Sequence, residues 1–168
     1  QESWPGISKS DLAALAAELT PLVEKATGAK IGKAPVLKVS TADDVTKILT
    51  GELTPQMKIQ FPQAAKGQHE QIAAQTAEMM AKGLLAKYEP ATHTVHVLEG
   101  NFERLSKLAN NPRMLDEEYL RVVVMHELVH ASDELRFQAV SDFAAVKTVD
   151  DLHVLNALVE GHAQHVTR

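Results

Sequence analysis

The stretch "VVVMHELVHASDEL" (residues 122–135) places two histidines four residues apart in an apolar setting, with Glu127 directly after the first. In an α-helix each residue advances about 100°, so His126 and His130 lie about 40° apart on one face. A buried imidazole costs free energy unless its nitrogen atoms have partners. Two buried imidazoles on one face can share a single cation, so the stretch predicts a helix that binds a metal ion.

The pattern H-E-x-x-H also assigns a role to the glutamate. Two imidazoles at this spacing can bind one zinc ion, each at about 2.0–2.1 Å. Glu127 lies about 100° around the helix from His126, too far to be a natural third ligand but near enough to reach a water on the metal. The motif therefore predicts Zn²⁺ ligands at His126 and His130 and a general base at Glu127.

A third protein ligand is expected, because catalytic zinc sites usually have three. The metzincin pattern requires Gly and His three and six residues after His130, where this chain has Asp133 and Arg136. That pattern is excluded, and Asp133 is predicted instead to accept a hydrogen bond from His130.

The stretch "HVLNALVEGHAQHV" (residues 153–166) offers a better third ligand in Glu160. An unpaired carboxylate among so many apolar neighbours would be costly. At helical spacing Glu160 also belongs to a polar stripe, which we expect to face a site; its members are His153, Asn156, Glu160 and Gln164. We predict that a second helix crosses the first and supplies Glu160 as the third ligand.

"HELVH" followed by "NALVEGHA" resembles the gluzincin branch of the zincin metallopeptidases, over residues 88–168. The resemblance implies a zincin-like domain with zinc ligands His126, His130 and Glu160 and the base Glu127. It also implies that the strand "HTVHVL" (residues 93–98) borders the cleft and pairs with an extended substrate.

Two departures from the gluzincin pattern stand out. Many members have an acidic residue four positions after the glutamate ligand, where this chain has Gln164. The family's His or Tyr that stabilises the oxyanion lies beyond the glutamate helix, where this sequence ends. Five residues are candidates for that role, and the sequence does not choose among them: His153, His162, His165, Tyr88 and Tyr119. For a residue of each of these types, a position on the surface or in support of a ligand is more common than a catalytic role.

The predicted function is that of a zinc-dependent metallopeptidase, in which Glu127 activates a zinc-bound water to hydrolyse peptide bonds. The expected partner is a peptide or protein substrate. One alternative is a catalytically inactive zincin-like zinc-binding module that acts in binding or regulation. Another is a helical structural domain without metal.

Composition limits the remaining possibilities. A length of 168 residues fits a single domain, residues 1–168. A net charge of −5 and 4% aromatic residues argue against nucleic acid as a partner. No apolar run approaches the roughly 20 residues of a transmembrane helix. The chain has no cysteine, which leaves the compartment open.

The two ends of the sequence carry a further expectation. The chain opens "QESWPG" without an initiator Met, so either a leader was removed or this is an excised piece. A removed leader would favour a secreted or periplasmic location over a cytoplasmic one. The last residues, "HAQHVTR", carry no helix stop signal, which favours a continuation beyond Arg168.

Periodicity and turn residues predict an α+β fold, with a small mixed sheet followed by helices that carry the candidate site. The first helix is expected at residues 11–27, capped by Ser8 or Ser10, kinked or divided at Pro21 and stopped by Gly28. Further helices are expected at residues 41–53, 68–83, 101–109 (capped by Asn101), 117–137 (capped by Asp116) and from 150 onward. A strand is expected at residues 35–40, a hairpin around Pro90–Thr92, and irregular connections at residues 52–67 and 138–149.

Overall fold

The computed structural model describes residues 9–138, 143 and 145–168, and within them it shows the predicted α+β class. The helices are α1 (Lys9–Thr27), α2 (Ala42–Gln60), α3 (Gln68–Gly83), α4 (Glu99–Ala109), α5 (Glu117–Phe137) and α6 (Val149–Val166). The strands are β1 (Val36–Val39), β2 (Ala86–Glu89) and β3 (Thr94–Val97), and two short 3₁₀ turns cover Pro90–Thr92 and Pro112–Leu115.

The three strands form a small mixed sheet in the order β1-β3-β2. β1 runs parallel to β3, and β2 runs antiparallel to it with Tyr88 opposite Val95. The predicted hairpin is confirmed, and its turn ends at His93 in the left-handed region, with φ 50°. β3 is therefore the central strand, and β2 lies at an edge.

One face of the sheet packs against α1 and α5. Leu37, Tyr88 and Val95 lie on that face, and they join a buried cluster with apolar residues of both helices. The face is continuous because alternate residues of a strand point to the same side. This packing places α5, which carries the two histidines, directly beneath the edge strand.

The irregular connection predicted for residues 52–67 is wrong over its first half, because α2 continues to Gln60 with Pro55 inside it. The apolar stripe of α2 extends past the proline, and its members pack against the small residues of α3; they are Val45, Leu49, Leu53 and Met57. Burial of the stripe on α3 outweighs the hydrogen bond that a proline removes from a helix.

Other boundaries also differ from the prediction. α1 is not divided at Pro21, and Ser10 lies within that helix, whereas Ser8 lies outside the described residues. Asn101 does not cap α4, which begins at Glu99; its amide instead donates to the carbonyls of Ala81 and Leu84, each at 2.7 Å.

The remaining helix boundaries follow the sequence closely. Gly28 ends α1 with φ 68°, and Asp116 is the N-cap residue of α5, as predicted. α6 begins at Val149, within one residue of its predicted start. Much of the connection predicted at residues 138–149 lies outside the described residues.

Candidate metal centre

α5 and α6 bring together the three side chains predicted to bind metal. His126 Nε2 lies 3.3 Å from Glu160 Oε2, and His130 Nε2 lies 3.5 Å from Glu160 Oε1. The two Nε2 atoms lie 3.1 Å apart, with the rings edge to face. The two imidazoles and the carboxylate thus direct their donor atoms at one small volume.

The spacing of these donor atoms suits zinc. A tetrahedral zinc ion with bonds of about 2.0–2.1 Å requires donor atoms ~3.3 Å apart. The two Nε2 atoms are 3.1 Å apart, and each lies 3.3 or 3.5 Å from a different oxygen of Glu160, so all three separations are close to that value. Two imidazole nitrogens and one carboxylate oxygen are also a donor set that zinc accepts. The residues present therefore fit the metal, and whether they bind it stays a prediction.

The surroundings of Glu160 and His130 favour the protonation states that bind a metal, an ionised carboxylate and a neutral imidazole. The hydrogen bond from His126 lowers the pKa of the Glu160 carboxyl, which keeps it ionised. Burial lowers the pKa of His130 and keeps its ring neutral. The hydrogen bond to Glu160 raises the pKa of His126. Only unprotonated ligands bind a metal, so a zinc ion would have to displace a proton mainly from His126.

Glu127, the predicted base, is held by the edge strand. Its Oε2 atom accepts a hydrogen bond of 2.7 Å from the backbone N–H of Tyr88, and the side chain is buried. The bond fixes the carboxylate beside the histidines and occupies one of its two oxygens. The second oxygen can accept a proton from a water molecule in the site.

The expectation that strand 93–98 pairs with substrate is wrong, because β3 is bonded on both sides. The open edge next to the site belongs to β2. Leu98 N–H donates to Leu85 O at 2.9 Å, so the backbone groups of Leu85 point toward β3. In an antiparallel pair the backbone groups of successive residues point alternately toward and away from the neighbouring strand, so those of Ala86 and Tyr88 point outward. The bond from Tyr88 N–H to Glu127 shows that this edge faces α5.

The hydrogen bond predicted from His130 to Asp133 is also absent from the described residues. Both carboxylate oxygens of Asp133 lie 2.9 Å from Nδ1 of His162 on α6, and Asp133 is 4% exposed. Among the described residues, His130 Nδ1 is buried and has no hydrogen-bond partner. Asp133 therefore joins the two helices instead of orienting a ligand.

We expect Asp133→Asn to lower the free energy of unfolding by about 1–1.5 kcal/mol, because the amide oxygen can still accept from His162 but the bond is no longer to a charged group. Zinc affinity should change little, because the pair with His162 does not touch the three donors. Urea unfolding and a zinc titration measure the two quantities. The exposed control Asp150→Asn on α6 should leave both nearly unchanged. A fall in zinc affinity without a loss of stability would contradict this role.

The polar stripe of α6 does not face the site as a whole. Of its four members only Glu160 reaches the histidines, while His153 and Gln164 are exposed and Asn156 donates to Leu152 O. The apolar setting expected around Glu160 is also wrong, because Leu158 is 64% exposed and the Glu160 side chain is half exposed. Glu160 is positioned by the helix crossing and not by burial.

The role of oxyanion stabiliser stays unassigned. Burial raises the pKa of Tyr88 to about 12, and its hydroxyl lies 2.9 Å from Nδ1 of His93 in the core. Tyr119 packs edge-on against Phe102, and His162 is paired with Asp133. The remaining two candidates, His153 and His165, lie on exposed positions of α6.

Lys87 on β2 is a charged neighbour of the site that sequence reasoning missed. Its Nζ atom lies 3.1 Å from Glu52 Oε2 on α2 and 2.5 Å from the outward carbonyl of Tyr88. After the hydrogen bond from His126 and the charges of both histidines, Lys87 also helps to lower the pKa of Glu160. The signal in the sequence that could have identified it is a lysine within a short strand whose other residues are mostly buried.

Comparisons with known proteins show a likeness of fold. No protein-family model and no curated protein matches the chain. The fold resembles a crystal structure from Chloroflexus aurantiacus described as "a putative hydrolase with a novel fold", with a TM-score of 0.58 and 15% identity. The match covers 94% of this chain but only 59% of that one. At this identity the match shows a shared fold and no shared activity.

The helices of the described residues fall short of a membrane span. Within residues 9–138, 143 and 145–168, none is both long enough and apolar enough to cross a bilayer.

Proposed function

We propose that this protein is a zinc-dependent metallopeptidase of the gluzincin type, with ligands His126, His130 and Glu160. The observation that carries the proposal is the meeting of both Nε2 atoms with the Glu160 carboxylate, in which neighbouring donor atoms lie 3.1–3.5 Å apart, close to the edge of a zinc tetrahedron. The structural neighbour's description as a hydrolase is compatible with this class of reaction.

The chain's own residues divide the chemistry as follows. A bound zinc ion would act as a Lewis acid and lower the pKa of water toward about 7. Glu127 takes the proton of the attacking water on the oxygen that Tyr88 leaves free. Glu127 then returns the proton to the leaving amine nitrogen, which completes cleavage of the peptide bond. The bond from Tyr88 N–H keeps the carboxylate oriented through both transfers.

The substrate class follows from the edge strand. An extended peptide can add to the open edge of β2 at the outward backbone groups of Ala86, because those of Tyr88 are already bonded to Glu127 and Lys87. Main-chain hydrogen bonds of this kind hold a peptide whatever its side chains are. Because Tyr88 also touches Glu127, a peptide on this edge lies beside the base. We therefore propose unfolded or extended polypeptide as the substrate.

Metal content and peptidase activity together test the proposal. The protein is stripped with a chelator, dialysed against zinc and assayed for bound metal and for casein digestion. We expect one zinc per chain, and activity that is lost with chelator and restored by zinc. A zinc content far below one equivalent would overturn the proposal and favour a metal-free structural domain.

A second candidate is a zinc-binding module that does not cleave. Gln164 favours it, because a neutral amide stands where many gluzincins have an acidic group that makes a ligand imidazole more electron-rich. One bound zinc with no digestion of casein or of extended peptides would support this candidate. Digestion that depends on zinc would exclude it.

A further inference from the structure

A second cluster of reactive side chains lies on the sheet face opposite α5. Ser40 Oγ is 2.8 Å from His96 Nδ1, and His96 Nε2 is 3.2 Å from Glu89 Oε2. Val95 and Val97 point into the α5 core, so strand alternation turns His96 to the other face, away from the metal centre. Ser40 and His96 are 7% and 5% exposed. These residues form a chain of hydroxyl, imidazole and carboxylate, in which Ser40 and His96 are buried and Glu89 is partly exposed.

The carboxylate fixes the direction of the hydrogen bonds in this chain. The pKa of Glu89 is lowered, first by the hydroxyl of Thr92 and then by His96, so Glu89 is an acceptor. His96 must then carry its proton on Nε2, which leaves Nδ1 as an acceptor. Ser40 therefore donates its O–H to Nδ1. A nucleophile bonded to a base that a third group orients is the arrangement of an activated serine.

Ser40 also lines a pocket of about 410 Å³ at the point where two helices begin. The pocket is lined by first-turn residues of α2 and α4, among them Ala42 and Gly100. The N-cap position of α4 holds Leu98, whose side chain has no hydrogen-bond acceptor. Asn101 N–H already donates to Leu98 O at 2.9 Å, so the N–H groups of Glu99 and Gly100 are the ones that can bind a developing negative charge. Asp44 and Glu99 also line the pocket, which disfavours anionic substrates.

We propose that Ser40, His96 and Glu89 form a second hydrolytic site, which acts on small uncharged carboxylic esters. Ser40 Oγ forms a bond to the acyl carbon while its proton passes to His96 Nδ1. The ester C–O bond breaks, and the leaving alkoxide takes that proton. His96 then removes a proton from water, the hydroxide cleaves the acyl-serine, and the proton returns to Ser40 as the carboxylic acid leaves. No oxidant or metal takes part in this sequence.

The test uses the full chain with Glu127→Gln and excess chelator, so that the metal centre contributes nothing. A fluorophosphonate probe is added, and the modified residue is located by mass spectrometry of peptides. We expect one adduct, on Ser40, and a burst of product from p-nitrophenyl acetate that Ser40→Ala abolishes. The absence of an adduct on Ser40 in the folded protein would overturn the proposal.

The Glu89→Gln variant tests whether Ser40 reacts because His96 and Glu89 activate it, or only because the probe can reach it. The new amide can donate to Nε2, which moves the imidazole proton to Nδ1 and removes the base that Ser40 needs. Labelling of Ser40 should slow by about 10²–10⁴-fold, the usual contribution of a general base. The control Ser106→Ala removes a buried hydroxyl bonded to Asn111 O and should leave labelling unchanged. An unchanged rate in Glu89→Gln would also overturn the proposal, whether or not the metal centre proves active.

Discussion

Glu127→Gln is expected to lower kcat/KM for peptide hydrolysis by about 10²–10⁴-fold, the contribution usual for a general base. The glutamine amide keeps the shape of the side chain, and its oxygen can still accept the N–H of Tyr88, which lies 2.7 Å from the carboxylate. The amide cannot take a proton from water. The loss should therefore fall on the chemical step, while zinc content stays at one equivalent.

Casein digestion and hydrolysis of a quenched fluorescent peptide measure this loss, and metal analysis of the same samples measures zinc. Glu118→Gln makes the same chemical change at an exposed position of α5 and should retain full activity. Digestion that survives Glu127→Gln would point to a contaminating protease and would remove Glu127 from the mechanism. Loss of zinc together with activity would show a structural role instead.

The sequence predicted the parts of the site that depend on one helix. His126, Glu127 and His130 lie within five residues, so the helical period alone relates their directions. Glu160 does lie beside the two histidines, although the reason given, an apolar setting, does not hold for a half-exposed side chain. The helix crossing that positions it depends on long-range packing, to which Ala163 of α6 contributes in the main core.

What the sequence could not predict depends on partners distant in the chain. Asp133 finds His162 29 residues away, and Ser40 finds His96 56 residues away. Strand order is equally hidden from local patterns, which is why the sequence predicts a substrate edge at β3, the central strand. α2 continues through Pro55 because its buried stripe packs on α3, an effect that turn residues do not reveal.

Glu160→Ala should weaken zinc binding by more than ~100-fold, since even groups that only support a ligand are worth 10–100-fold. The two histidines would remain, but they fill only two of the four coordination positions of a tetrahedral zinc ion, and the protein would supply no third ligand. Competition with a chromophoric chelator measures the affinity. Asp150→Ala removes a carboxylate from the first turn of the same helix and should leave zinc affinity nearly unchanged.

Stability measurements separate coordination from folding in this experiment. The Glu160 side chain is 55% exposed, and pairs at such positions contribute only about 0–1 kcal/mol to stability. The metal-free variant should therefore unfold at nearly the same urea concentration as the metal-free parent. With zinc present the parent should gain stability, because a ligand that binds only the folded state shifts the unfolding equilibrium, and the variant should gain much less. If zinc stabilises the parent and the variant equally, Glu160 is not the third ligand. The crossing of α5 and α6 would then have no part in binding the metal.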